Sequence, residues 1–133
     1  MARNLFYFEV VIKDDERGLL MRNGRLERLL PPGKERIVDL RGELSVEVVK
    51  VVRAELPPEK ALLMKRTHPE LAAEHLAIVQ AGPNEVALVS FDGDPKHLVL
   101  PNTTRAFWKT LTRVDVEMID ATTYKGQFHK ELD

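Results

Sequence analysis

Histidine is the side chain best suited to act as a general base or metal ligand at neutral pH, and the chain holds four, of which His68 and His75 are the closest pair in a helical stretch. A helix that grips one ion places two histidines four residues apart, so that both rings meet on one face. The wider spacing here, with Glu74 beside His75, reads as surface residues near a helix start and end. The paired carboxylates Asp14-Asp15 and Glu70/Glu74 have no nucleophile nearby and no local cause of burial, so they read as solvated charge, not a general acid–base couple. Ser45 and Ser90 lie in strand-like runs, not in a nucleophile elbow. The glycines never form Gly-x-Gly-x-x-Gly or a phosphate loop ahead of a helix. The absence of cysteine removes disulfides, thiolate catalysis and thiolate metal sites. This inventory predicts a chain that is not an enzyme and uses no cofactor or metal.

Two groups of residues suit binding instead. Arg22, Arg25 and Arg28, followed by Lys34, Arg36 and Arg41, form a basic stretch suited to a phosphate or an acidic lipid headgroup. Aromatic residues are not interleaved with it, and the net charge is only -1, so nucleic acid is not an expected partner. Phe107-Trp108, beside Thr103-Thr104 and Lys109, reads either as core or as an exposed contact anchor. Asn102-Thr103-Thr104 fits the glycosylation acceptor pattern, but the opening MARNLFYFEVVIKDDE lacks a signal-peptide core, and the longest apolar run is four residues. A cytoplasmic chain is expected, without a spanning helix.

The elements that must position these residues come twice. Glu16 to Arg36 overlays Glu85 to Arg105 without a gap: Glu16/Glu85, Leu19/Leu88, Gly24/Gly93, Leu29/Leu98, Pro32/Pro101 and Arg36/Arg105 are identical. Asn23-Gly24 and Asp92-Gly93 are two-residue hairpin signals, because a type I′ turn needs positive φ at both central positions. Around them, Gly18 to Arg22 and Arg25 to Leu30 in one copy, and Val86 to Phe91 and His97 to Leu100 in the other, read as hairpin strands. Leu5 to Lys13, Leu44 to Val52, Ala77 to Gln80, Arg105 to Lys109 and Val114 to Ile119 have the β-branched, aromatic or alternating character of further strands. Between the copies, Glu59 to Arg66 holds strong helix formers, and Thr67-His68-Pro69-Glu70 reads as a capping box opening a second helix over about 68–76. Ala121 to Asp133 shows no sustained period and reads as a frayed terminus or the start of a connection. The length and composition predict a single α+β, β-rich domain over residues 1–133, with 44% hydrophobic residues to build a core. Two related antiparallel β-hairpin units (about 16–49 and 85–118) are joined by a two-helix segment at about 57–76. The turn tips Asn23, Gly24, Asp92 and Gly93, with Phe107 and Trp108, are the candidate protein-contact residues.

The run Glu16-Arg17-Gly18-Leu19-Leu20-Met21-Arg22-Asn23-Gly24-Arg25, followed by Pro32-Gly33, resembles the opening of slipins, the prokaryotic stomatin-like members of the stomatin/prohibitin/flotillin (band 7) superfamily. Glu85 to Val89, with Asp92-Gly93 and Trp108-Lys109, is similar to the segment that precedes the band 7 core in long bacterial slipins. The resemblance covers about residues 9–120. It implies a non-catalytic β module at the N-terminal part of a membrane-associated scaffold. Full-length relatives assemble into homo-oligomers at the membrane surface, often with a membrane protein of the NfeD type. The alternative from the residues alone is a small β module that binds an anionic headgroup or phosphate through Arg22, Arg25 and Arg28.

Overall fold

A computed structural model describes residues 6–120, and the expectations for Leu5 and for Ala121 to Asp133 fall outside the described residues. The chain divides into two compact units, the first ending at Val52 and the second beginning at Arg53. The first unit contains β1 (Tyr7–Ile12), β2 (Glu16–Arg22), β3 (Arg25–Leu30), β4 (Gly33–Val38) and β5 (Leu44–Lys50). β1 and β4 form an antiparallel ribbon, and β3-β2-β5 forms an antiparallel sheet. Alternate side chains from both, Phe8, Val10, Ile12 and Ile37 with Leu20, Leu30 and Leu44, bury one shared cluster. Burying each such aliphatic or aromatic side chain contributes about 1.5–3 kcal/mol.

The second unit opens with β6 (Glu55–Leu56), α1 (Pro58–Thr67) and α2 (Pro69–His75). It then repeats the first pattern with β7 (Leu76–Gln80), β8 (Glu85–Phe91), β9 (Asp94–Val99), β10 (Thr104–Trp108) and β11 (Val114–Asp120). β7 and β10 pair as β1 and β4 do, and β11-β8-β9 matches β5-β2-β3. The molecule is therefore a β-rich α+β fold of two related units, with two helices between the repeated parts.

The likeness extends to backbone detail. Asn23 and Gly24 have φ of 52° and 79°, and Asp92 and Gly93 have 53° and 86°, as type I′ turns require. Both hairpins carry a bulge at the same place, Glu27 being the extra residue in one and Lys96 in the other. Lys13 N–H bonds to Glu16 Oε1 at 3.0 Å, as Gly82 N–H bonds to Glu85 Oε1 at 3.1 Å. Asp39 N–H donates to Phe6 O as Lys109 N–H donates to His75 O.

The copies fall out of step by one residue between the hairpin and the strand that follows. Glu9 pairs with Arg36, while its counterpart Ile78 pairs with Ala106, so Arg36 corresponds to Ala106 and Glu35 to Arg105. The sequence match of Arg36 with Arg105 is thus not a structural one. The loop ahead of β10 takes up the added residue, with Asn102 at φ 61°.

Proline sets the helices. Pro58 starts α1 at a position whose N–H has no helical partner, Glu59 lies at the positive end, and Lys65 and Arg66 lie at the negative end. Pro69 forces His68 out of helical geometry, to φ -137° and ψ 69°, and separates α1 from α2. The expected capping box does not form: Thr67 closes α1, and its Oγ1 donates to Leu63 O at 2.8 Å instead of capping α2. A threonine hydroxyl inside the last helical turn finds the carbonyl four residues back before it can serve the next helix. α1 packs on β7 and β10, where Leu76, Ala106, Ala61 and Met64 are buried. Phe107, Val79 and Ala81, on the opposite face, join Val89, Phe91 and Val99 in the second cluster.

Candidate functional site

The tips of both hairpins are exposed, and their backbones are tied down. Asn23 N–H donates to Glu43 O (2.9 Å) and Asp92 N–H to Arg113 O (2.8 Å). Asp92 Oδ1 also accepts Arg113 N–H at 2.9 Å, and Asp92 and Asp94 each lie 3.7 Å from the Arg53 guanidinium. Asn23, Gly24, Asp92 and Gly93 therefore serve turn geometry, with their outward surface open.

Phe107 and Trp108 are core, not a contact anchor: they are 0% and 2% exposed. β10 is the middle strand of β6-β10-β7 and is covered on both faces, so neighbouring side chains of opposite direction are both buried. Phe107 packs edge-on to Phe91 (5.6 Å between centroids) and stacks on His97 (5.2 Å). Beside this stack lies a polar network that sequence spacing did not signal, because its members are far apart in the chain. Arg105 Nε and Nη2 donate to the two carboxylate oxygens of Glu55 at 2.8 and 2.7 Å, and Arg105 Nη2 lies 3.2 Å from His97 Nδ1. A guanidinium only donates, so Nδ1 accepts and the ring proton sits on Nε2. The hydrogen bonds from Arg105 hold the Glu55 carboxyl below the usual carboxylate range.

Much of the basic stretch is engaged in ion pairs within the first unit. Arg22 bonds Glu27 at 2.7 Å and Glu43 at 3.2 Å, and Arg28 bonds Glu35 at 2.7 Å. Lys34 and Arg36 share Glu9 at 3.3 and 3.4 Å, and the Arg36 guanidinium also lies 4.4 Å from the Tyr7 ring centroid. Arg25 is exposed and has no ion-pair partner among the described residues. The hydrogen bond from Lys34, more than its charge, lowers the Glu9 carboxyl, and Lys50 does the same for Asp15. A shallow depression of about 220 Å³ in the first unit is lined by Arg22, Val38, Asp39, Leu40, Arg41 and Leu44. Its buried acid, Asp39, already accepts the N–H groups of Glu43 (3.0 Å) and Leu44 (3.2 Å), which makes it a loop staple.

His75 Nδ1 meets Thr110 Oγ1 at 3.0 Å and its Nε2 lies 3.8 Å from Glu74, so it is engaged at the end of α2. Among the described residues no three His, Cys, Asp or Glu side chains converge as a metal site would require, and no helix is long and apolar enough to cross a membrane.

What remains open is backbone. The β1-β4 ribbon has two strands, while its counterpart in the second unit has a third, β6, on the outer edge of β10. Among the described residues no strand lies on the outer edge of β4, the place that β6 fills in the other copy. No protein-family model, curated protein or solved structure matches the chain.

Proposed function

We propose that the chain is a non-catalytic assembly module of a slipin-like, membrane-associated scaffold, acting through protein–protein contacts at its strand edges. The observation that carries this reading is the open edge of β4, beside the exposed apolar residues Val38 and Leu40. An unpaired edge is a template for another strand, and the edge strands β5 and β11 offer Val48, Val116 and Met118 in the same way. The resemblance of residues 9–120 to slipins supports the setting: a homo-oligomeric parent at the inner face of the membrane, with an NfeD-type membrane protein as partner. Sedimentation velocity of the isolated chain over a wide concentration range tests the assembly role, with reversible self-association or co-sedimentation with another slipin segment as the expected result. A strictly monomeric chain that binds no such segment removes the proposal. The anion-binding alternative keeps few unpaired cations, so little co-sedimentation with acidic liposomes is expected; strong binding that fades with salt would restore it.

A further inference from the structure

The two copies show what the open edge of β4 is shaped to take. Asp39 N–H donates to Phe6 O, and antiparallel pairs alternate, so the N–H and C=O groups of Ile37 and Glu35 turn toward β1. Those of Val38, Arg36 and Lys34 turn away from it. At the matching edge of the second unit, Trp108 N–H donates to Ala54 O at 2.9 Å, Phe107 faces Glu55 and Ala106 faces Leu56. Val38, Ile37 and Arg36 hold the places of Trp108, Phe107 and Ala106.

The side chains along that edge specify the occupant. Lys34, Arg36 and Val38 project from one face, with Lys34 and Arg36 side chains 68% and 61% exposed and Val38 62% exposed. Among the described residues the two cations share a single carboxylate, Glu9, which leaves one positive charge on that face without a described counter-charge. A strand laid antiparallel in the manner of β6 would set its residues directly opposite Val38, then Arg36, then Lys34.

The geometry points to β4 as a strand-addition site for an extended protein segment carrying an apolar residue followed by acidic residues at the second and fourth positions after it. The segment hydrogen-bonds to the backbone of Val38, Arg36 and Lys34, packs its apolar residue on Val38, and pairs its acids with Arg36 and Lys34. Lysine on an edge discourages pairing with neutral or basic strands, so the same charges that guard the edge select the partner. This inference rests on the assembly reading and names the kind of contact it uses.

The test is titration of the isotope-labelled chain with a blocked peptide of alternating sequence, threonine–valine–threonine–glutamate–threonine–glutamate–threonine, followed by amide exchange. Slowed exchange at Val38, Arg36 and Lys34 is expected. At least a tenfold loss of affinity is expected for the double variant K34E/R36E, and separately for Val38→Pro. The proline removes an edge N–H and leaves the ladder to β1 intact, so it reports even if the charge variant folds poorly. No binding, or binding that is equal with lysine in place of the peptide's glutamates, or variants that bind as tightly as the wild type, overturns the inference. Sedimentation of the same samples keeps the two readings apart. Self-association without peptide binding removes the strand-addition site alone, whereas peptide binding by a chain that never associates upholds the site and removes the self-assembly role.

Discussion

Gly18 shows how a duplicated scaffold is adjusted atom by atom. A Cβ placed on it would lie 2.9 Å from Ile12 Cδ1 and 3.1 Å from both Cβ and Cδ1 of Leu30, closer than packed carbons tolerate. The second copy has a methyl at this position, Ala87, and makes room for it with Ala81 in place of Ile12 and Val99 in place of Leu30. Phe107, in place of Ile37, restores volume lost elsewhere in that cluster. Gly18→Ala is therefore expected to destabilise the chain by about 1–3 kcal/mol through overpacking. Ile12→Ala alone should cost about 2–5 kcal/mol as a cavity. The double substitution removes the nearest clash, with Ile12 Cδ1, as Ala81 does in the second copy, so its cost should fall at least about 1 kcal/mol short of the two single costs added. Urea denaturation of the four proteins reads this directly, and strict additivity would show that the two sites do not share space.

At the scale of elements, β6 is the shortest strand among the described residues, and a bidentate ion pair supports its attachment to β10. Because Arg105 lowers the Glu55 carboxyl in the folded chain, its stabilisation is complete above the unfolded carboxyl's range, about pH 4.3. It disappears as pH falls through the lowered folded value. The pair is partly exposed, so its contribution is below about 1 kcal/mol. Glu55→Gln should flatten the acid limb of the thermal midpoint between about pH 5 and pH 3, and a variant curve parallel to the wild type would contradict this. β6 was invisible in sequence, since two residues show no alternation. β4 was missed for another reason: its run Gly33-Lys34-Glu35-Arg36-Ile37-Val38 follows two prolines and sends charge to both faces. The hairpins were legible because Asn-Gly and Asp-Gly state a backbone geometry in the residues themselves. The valines of β5 and β11 also marked strands, but both lie at sheet edges, which leaves Val48, Val116 and Met118 half exposed. The candidate site was legible only in part: exposed turn tips could be read from residue type, whereas the charge pairing that occupies Arg22 and Arg28 depends on cross-strand register.

Across the whole molecule, the two units use one strand plan with two surface chemistries. The outer face of β1 and β4 carries Glu9, Lys34 and Arg36 in an ion-paired ladder, while Ile78 and Ala106 hold the places of Glu9 and Arg36 on β7 and β10. Where the face is apolar, α1 covers it; where it is charged, it stays in water. The helical segment thus compensates a change of face composition and is not required by the strand plan, which forms without it in the first unit. Converting the first face to the second, with Glu9→Ile and Arg36→Ala, leaves the buried cluster of Phe8, Val10, Leu20 and Ile37 untouched, so the far-ultraviolet circular dichroism should not change. In the variant the two introduced apolar side chains would join Tyr7, Val11 and Val38 in one apolar strip with no helix over it, and contiguous apolar surface drives association. Sedimentation velocity should show larger species than the wild type at equal concentration, less sensitive to salt. An unchanged distribution would mean that the ion-paired ladder is not what keeps this face in solution.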